Sequence, residues 1–489
     1  MRKLAPAPTS RSDRTPRLRA RRIAVDMASL GEVTATLEHT SLGEITARVR
    51  DLSLHGLAIE LPIDAGSTLF PGDRLETLEV RADERSLFRG SGTVRRLGES
   101  DEGIVVGIEL EGDGLDLAEL HRRGARRSFD QRLQALGQAR ARNASVGSAF
   151  KAWAADLLSG LEVLRDFLGR EEEALLAEDD FTRREVEAQI LDAIHPWIVK
   201  EMVAARTTLN ELVGGFSDEE HQLHRAYLKR HVAPLFAESP FMRRALEKPL
   251  GYAGDYEMMN MLYRDHREGS TLFGKALNLY STNEEAAIAN INRIEFLGAM
   301  IRERIERADR DRIRIASIGC GPAREIAALL NKSPELGARL DVALVDQEDR
   351  SIAYCEKTLA PLARATNARV QVIRESVRRL LTAQALGEAL GERELIYSAG
   401  LFDYLNERTS RALISILYGA LADGGRLAVG NVAHHNPSRW TMEYFSEWFL
   451  IHRTPEELLR LAEGLSPAPR QVRVDAEPSG VNLFLFVER

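Results

Sequence analysis

Between about Ile23 and Leu110 the apolar residues fall in short runs rich in Val, Ile, Thr and Leu, such as "EITARVRD", "GLAIELP", "LETLEVRA" and "GIVVGIEL", separated by Gly, Asp and Ser. Short segments between turn residues predict a small antiparallel barrel or sandwich. From about Asp116 to Tyr280 the period changes. Phe150, Trp153, Leu157, Leu161, Leu164 and Phe167 recur at steps of three and four, which predicts one buried helix face. The polar stretch "RRGARRSFDQRLQALGQARARNAS" opens this region, and its scarcity of Gly and Pro favours a solvated helix over a linker. From about Glu284 the two patterns alternate. "RIRIASIG", "LDVALVD", "ARVQVIRES", "ELIYSAG" and "GRLAVGNV" read as strands, with a helix from Ala323, and "RQVRVDAE" with "VNLFLFVER" reads as an antiparallel pair. Such alternation predicts an open, mostly parallel, doubly wound sheet. The expected chain is multidomain: a basic arm (1–22), a β-barrel (23–115), a helical region of linker helices and a cap (116–283), and an α/β domain (284–489).

The 489 residues exceed one ordinary core, and 44% hydrophobic with 29% charged residues describes a foldable, soluble composition. A net charge of −8 argues against a chain that coats nucleic acid, although residues 1–22 carry eight Lys/Arg and one Asp. No apolar run reaches the roughly 18 residues of a membrane span, and no secretory apolar segment follows the basic start. Peripheral contact with a membrane is left open by this. The two cysteines, Cys320 and Cys355, form no CxxC pair, so no structural zinc or disulfide framework is expected and a cytoplasmic setting is. His221, His224 and His231 lie at helical spacing without a matched carboxylate set, which favours solvated or core histidines over a metal site.

In a doubly wound sheet a ligand sits where the first strand turns into its helix, and Gly319 and Gly321 occupy that turn. A dinucleotide fingerprint needs a third glycine where this chain has Arg324, whereas the GxGxG loop of class I methyltransferases, which this turn resembles, has only to tolerate Ala323. S-adenosylmethionine is therefore favoured over nicotinamide or flavin cofactors. Asp346, 25 positions after Gly321 at the end of the next strand, is placed to accept hydrogen bonds from ribose hydroxyls. Ser398, Ala399 and Gly400 leave room at the mouth of the sheet for a transferring methyl. Ser317, two positions before the first glycine, stands where that methyltransferase loop usually has an acidic residue. The expected cofactor set is Ser317, Gly319, Cys320, Gly321, Asp346, Gln347, Ser376, Ser398 and Gly400.

Five alternating units closed by a hairpin resemble a class I methyltransferase domain. More narrowly, "KPLGYAGDYEMMNMLY", "SIGCGPAREI", "YSAGLFDYL" and "GNVAHHNPSRWTMEYFSEWFLIHRTPEEL" resemble, over about 220–489, the methyltransferases assigned to biosynthesis of 3-hydroxypalmitic acid methyl ester, a cell-density (quorum-sensing) signal. The resemblance implies methyl transfer from S-adenosylmethionine to the carboxylate of a 3-hydroxy fatty acid, free or carrier-bound. A carboxylate is already nucleophilic at neutral pH, so positioning and desolvation suffice. Tyr252, Asp255, Tyr256, Asn431, His434, Asn436 and Arg439 are the candidates for substrate contact, with Arg439 as a two-pronged carboxylate clamp. "NPSR" lacks the second proline and the aromatic of amino-group DNA methyltransferases and follows the fifth strand, so a nucleic-acid substrate is disfavoured.

In the amino-terminal barrel, Asp51-x-Ser53-x-x-Gly56 lies about 30 residues after Arg17-x-x-x-Arg21. Together these resemble a PilZ domain and imply cyclic di-GMP as a regulatory ligand. Arginines fork onto phosphates and guanine edges while Asp and Ser hold the other side of a guanine. The register of the arginines admits Arg17, Arg21 and Arg22. Two readings of the whole chain compete: an active methyltransferase regulated through the barrel, and a cyclic di-GMP-responsive adaptor with an inactive methyltransferase fold.

Overall fold

The computed structural model describes residues 23–24, 32–83, 85–381 and 390–489. The chain falls into two compact units, Met1–Asn143 and Ala144–Arg489.

In the first unit, β1 (Ile23–Ala24), β2 (Val33–His39), β3 (Gly43–Ser53), β4 (Gly56–Leu61), β5 (Arg74–Ala82), β6 (Arg85–Ser100) and β7 (Gly103–Leu110) are all antiparallel. The order β3-β2-β5-β6-β7-β4 closes on itself through the β3–β4 pair, so six strands form a barrel and β1 adds to β3 outside the ring. Closure leaves none of the six with an open edge. Period-two alternation fills the interior: Val33, Ala35 and Leu37 of β2 are buried while their neighbours are not. α1 (Leu117–Ser145) confirms the helical reading of the polar stretch; Leu120 packs into the barrel core, and Phe129, Leu133 and Leu136 are exposed.

The second unit opens with α2 (Ser148–Ala174), α3 (Asp180–Val213), α4 (Asp218–His231), α5 (Pro240–Glu247), α6 (Tyr256–Met261), α7 (Leu272–Thr282) and α8 (Glu285–Glu306). Ser217 caps α4 with a capping box to Glu220 and Asp179 caps α3, satisfying main-chain donors at both helix starts. On α2 the buried stripe runs Phe150, Trp153, Leu161, Leu164 and then Leu168; Phe167 is 47% exposed. A 3.6-residue period carries the stripe from 161 and 164 to 168, so Phe167 leaves the expected face. His221 and His224 are buried. His221 stacks on Trp440 at 4.3 Å and its Nδ1 lies 2.9 Å from the Tyr444 hydroxyl, while the Gly147 amide donates to His224 Nε2 at 3.1 Å.

The sheet is β8 (Ile313–Ile318), β9 (Leu340–Asp346), β10 (Arg369–Arg374), β11 (Arg393–Ser398), β12 (Leu421–Val432), β13 (Gln471–Ala476) and β14 (Asn482–Glu488). Its order is β10-β9-β8-β11-β12-β14-β13, with β8 to β12 parallel and β14 antiparallel to both neighbours. Both faces are covered, so the central strands are nearly continuous apolar runs. Ile315, Val342, Leu344, Leu395 and Tyr397 pack on one face against α8, α9 (Arg324–Lys332) and α10 (Asp349–Thr366). Ala316, Ile318, Ala343, Val345 and Ile396 pack on the other against α11 (Glu407–Gly419) and, further along the sheet, α13 (Pro455–Leu461). α12 (Arg439–Phe445), from the segment after β12, places Tyr444 and Phe445 in the core of the helical region. The helices before the sheet and the segment after its fifth strand thereby share one core.

The loops at the carboxyl end of the sheet are gathered by Arg453, which is 5% exposed. Its guanidinium donates to the Phe402 carbonyl at 2.8 Å, to the Leu405 carbonyl, to Asn431 Oδ1 and to the Ser410 hydroxyl at 3.4 Å. Removing it leaves buried acceptors without a donor. Arg453→Met is expected to cost about 3 kcal/mol, read as a fall of several degrees in the unfolding midpoint of the 144–489 unit. An unchanged midpoint would contradict this role.

Candidate functional site

The turn after β8 is built from the main chain. The Gly319 and Cys320 amides donate to the Val345 carbonyl at 2.8 and 3.0 Å, and the Gly321 amide donates to Asp346 Oδ2 at 2.9 Å. Gly319 and Gly321 have φ of +66° and +52°, and a Cβ at Gly319 would come within 3.2 Å of Leu401 Cβ. Ala323 takes the left-handed conformation too, at φ 46° and ψ 45°, fully buried at the N-cap of α9. An alanine there costs roughly 1–2 kcal/mol of backbone strain. Both cysteines sit beneath the loop, and their thiols face the Gly321 carbonyl at 3.7 Å (Cys320) and 3.1 Å (Cys355). The neighbouring Cys355 thiol and burial raise the Cys320 thiol well above its ordinary value, which keeps it protonated and unreactive.

Above this turn lies a cavity of about 490 Å³. The loop side of its wall is Gly319 to Pro322, Asp346, Gln347 and Gly400; the helical region contributes Tyr252, Tyr256, Met259 and Tyr263, and the loops after β11 and β12 contribute Asp403, Tyr404, Asn436 and Trp448. Asp346 Oδ1 accepts from the Glu348 amide at 3.0 Å and Oδ2 from Gly321, so each oxygen is oriented and keeps a lone pair for a ligand. Burial pushes the Tyr252 phenol above its ordinary value, with the Asp346 charge adding to the effect. Gly254 lets this stretch approach the loop after β11: a Cβ there would lie 2.6 Å from the Tyr404 hydroxyl and 2.7 Å from the Trp448 ring. Asn436 is held by His452. The His452 Nδ1–H donates to the Leu450 carbonyl at 3.1 Å, leaving Nε2 to accept from Asn436 Nδ2 at 3.3 Å. Burial lowers the His452 pKa to about 4, so the ring stays neutral.

The cavity brings together Tyr252, Tyr256, Gly319, Cys320, Gly321, Asp346, Gln347, Gly400 and Asn436 from the sequence-predicted sets. The others do not line it. Asp255 is completely buried: it caps α6 through the Glu257 and Met258 amides and pairs with Arg244 at 2.7–3.0 Å. Asn431 donates to the Val432 and Ile451 carbonyls at 3.0 and 2.8 Å and accepts from Arg453. His434 is exposed, and its amide is bonded to the Arg453 carbonyl. Arg439 pairs with Glu443 at 3.1 Å, lies over the Trp440 ring at 4.4 Å and is not among the residues that line the cavity. Ser317 is buried in β8, the Ser398 hydroxyl donates to the Ile318 carbonyl at 2.8 Å, and Ser376 caps the short helix Val377–Leu380 beside the cavity lining.

Sequence reading missed three buried charged groups in the wall. Arg293 on α8 is 8% exposed, in line with buried Ala289 and Leu297. A charge on the apolar face of an amphipathic helix was the available signal. Glu325, in the first turn of α9, accepts from the Tyr397 hydroxyl at 2.6 Å, and burial raises its carboxyl above the usual range. Asp403 accepts from the Val432 amide at 2.7 Å, and burial pushes it up to about 6, against the pull of Arg293, the Val432 amide and Arg453.

On the barrel, Asp51 and Ser53 alternate with fully buried Leu52, which puts them on its outer surface. The Ser53 hydroxyl donates to the Gly56 carbonyl at 3.2 Å, and Asp51 stands opposite Ala24 of β1. Arg17, Arg21 and Arg22 lie outside the described residues. No cluster of three or more His, Cys, Asp or Glu residues suited to a metal occurs among the described residues, and none of their helices is long and apolar enough to cross a membrane.

The strand order of the second unit, with a glycine turn after its first strand and an acidic residue ending the next, defines a methyltransferase-like fold. Residues 16–123 match the family model of the PilZ domain, so the chain joins a PilZ barrel to that fold. No curated protein matches the chain. Among solved structures, a possible exported protein from Bordetella parapertussis is 16% identical over 60% of this chain and 96% of its own, with a TM-score of 0.42. Magnesium protoporphyrin IX methyltransferase from Synechocystis with bound SAM is 10% identical over 47% and 90%, with a TM-score of 0.32. An O-methyltransferase family protein from Burkholderia thailandensis is 15% identical over 55% and 71%, with a TM-score of 0.32. These are remote, partial similarities.

Asp403 supplies a pH test. A carboxyl whose pKa rises from 3.8 to about 6 on folding stabilises the native state below pH 4, and that contribution is lost as pH rises through 6. Its full size is about 3 kcal/mol. In urea unfolding at pH 4.5 and 7.5, Asp403→Asn is expected to flatten the loss of stability between the two; an unchanged difference would contradict a raised pKa.

Proposed function

We propose that the cavity binds S-adenosylmethionine and that the chain is a carboxyl O-methyltransferase acting on a 3-hydroxy fatty acid, giving a methyl ester signal under the control of cyclic di-GMP. The observation that carries the cofactor reading is the juxtaposition, around one cavity, of the positive-φ glycine turn and an Asp346 whose two oxygens are already oriented by main-chain amides. Ribose hydroxyls are the matching donors. The volume of about 490 Å³ suits a nucleoside with its side chain, and Val345, Val377 and Leu380 offer apolar walls for a base. Where Ser317 provides no charge for the amino group of the donor, Glu325 and Asp403 line the same space.

For the acceptor, Met259, Leu262, Leu401, Leu405, Met442 and Leu450 form the apolar lining an acyl chain requires, and Tyr252, Tyr256 and Asn436 are the hydrogen-bonding groups beside it. Methyl transfer to a carboxylate needs alignment and exclusion of water more than a base. The tyrosines, kept protonated by burial, serve as donors that orient the carboxylate. The 3-hydroxy acyl class itself rests on the sequence resemblance over 220–489.

In the test, the intact protein with methyl-labelled S-adenosylmethionine and 3-hydroxy fatty acids yields labelled methyl esters by mass spectrometry. Asp346→Ala removes the heat of donor binding in calorimetry. No binding heat from the unaltered protein rejects the cofactor reading; binding without any labelled ester rejects the acceptor. For the barrel, cyclic di-GMP is expected to bind the unaltered protein, to bind Asp51→Ala at least tenfold more weakly, and to change the transfer rate. Equal binding by both proteins would remove Asp51 from the ligand site, and a rate indifferent to bound cyclic di-GMP would reject regulation.

A further inference from the structure

Arg293 is a buried cation in the cavity wall that forms no ion pair among the described residues. Its contacts are weak for a guanidinium. Nη1 donates to the Ala399 carbonyl at 3.3 Å, Nη2 lies 3.7 Å from the Met259 sulfur, and Nε is buried without a partner. Asp403 is close enough to feel its charge but does not pair with it. Burying a guanidinium with donors left over is costly unless a ligand supplies the acceptors. The neighbouring backbone is shaped to admit the group: a Cβ at Gly400 would lie 2.9 Å from Arg293 Nη1, so glycine at the end of β11 makes room for the guanidinium. The expected carboxylate clamp, Arg439, is engaged by Glu443 and Trp440 outside the cavity.

We propose that Arg293 is the carboxylate-binding residue of this cavity, receiving the carboxylate of a bound ligand on its unused donors. The inference rests on the reading of the cavity as an S-adenosylmethionine site. Two carboxylates enter such a site, that of the methionine end of the donor and that of the acceptor, and both fit a planar, charged fork.

The experiment compares the unaltered protein, Arg293→Gln and Gly400→Ala, by calorimetry with S-adenosylhomocysteine and with 5′-methylthioadenosine, which shares the nucleoside thioether but has no carboxylate. A second arm measures KM and kcat for the acceptor at saturating donor. If the donor carboxylate is bound, Arg293→Gln loses about 10- to 100-fold in affinity for S-adenosylhomocysteine and none for 5′-methylthioadenosine. Gly400→Ala, which forces the guanidinium to shift, follows in the same direction. If the acceptor carboxylate is bound, both nucleosides bind as before and acceptor KM rises at least tenfold with little change in kcat. Retained binding of 5′-methylthioadenosine shows that the variant's cavity is folded. Equal weakening of both nucleosides, or no change in any quantity, overturns the inference. Failure of the unaltered protein to bind either nucleoside removes the cofactor reading and this inference with it. Normal binding by the unaltered protein and by Arg293→Gln, with an unchanged acceptor KM, removes this inference alone.

Discussion

Three main-chain amides at the end of β8 point across to the end of β9, and the ligand-facing part of the second unit follows from that. With Gly319 and Cys320 bonded to the Val345 carbonyl and Gly321 to the Asp346 carboxylate, the chain turns through positive φ at both glycines on its way to α9. The same bonds aim Asp346 upward from the sheet. They also force Ala323 into a left-handed conformation where glycine would be unstrained, a cost borne by a fully buried, well-packed residue. A strained loop pinned to its neighbouring strand is preorganised: it holds its shape without a ligand, so little ordering is left for binding to pay for.

Around that loop, buried charge is handled in two ways. Arg453 and Asp255 are saturated with hydrogen bonds, one tying the loops after β11 and β12 together and the other capping a helix of the cap while pairing with Arg244. Both are structural. Arg293 differs in facing the cavity with donors in hand, while Asp403 and Glu325 face it with raised pKa values. An arrangement of both signs in one enclosed space suits a zwitterionic ligand such as an amino acid end, and gives the cavity a polar pole opposite its apolar wall.

The succession of strands was legible because most of the central strands, buried on both faces, are nearly uninterrupted apolar runs, and because the glycine turn and Asp346 both sit at strand ends. The barrel was legible for the converse reason, its alternation of inward and outward positions. Individual site residues were less so. Periodicity tells which face of a helix is buried, but whether that face meets a core or a cavity depends on elements far away in the chain. Arg439 is polar and near the sheet mouth, yet its neighbour one turn on is Glu443, and the pair closes on itself. Arg293 sits on the buried face of α8, where periodicity alone leads one to expect core, and it lines the cavity. Asp255, a candidate for substrate contact, serves the helix start instead, and Gly254 before it serves close packing against Tyr404 and Trp448. Phe167 slipped off its expected face by one residue, an error that grows with helix length when a period near 3.5 replaces 3.6.

The most direct test of the account is a crystal structure of the protein with S-adenosylhomocysteine. The ligand is expected in the cavity above Gly319–Gly321, with its ribose hydroxyls within hydrogen-bonding distance of the two Asp346 oxygens. A ligand bound elsewhere, or a cavity that stays empty at saturating concentration, would contradict it.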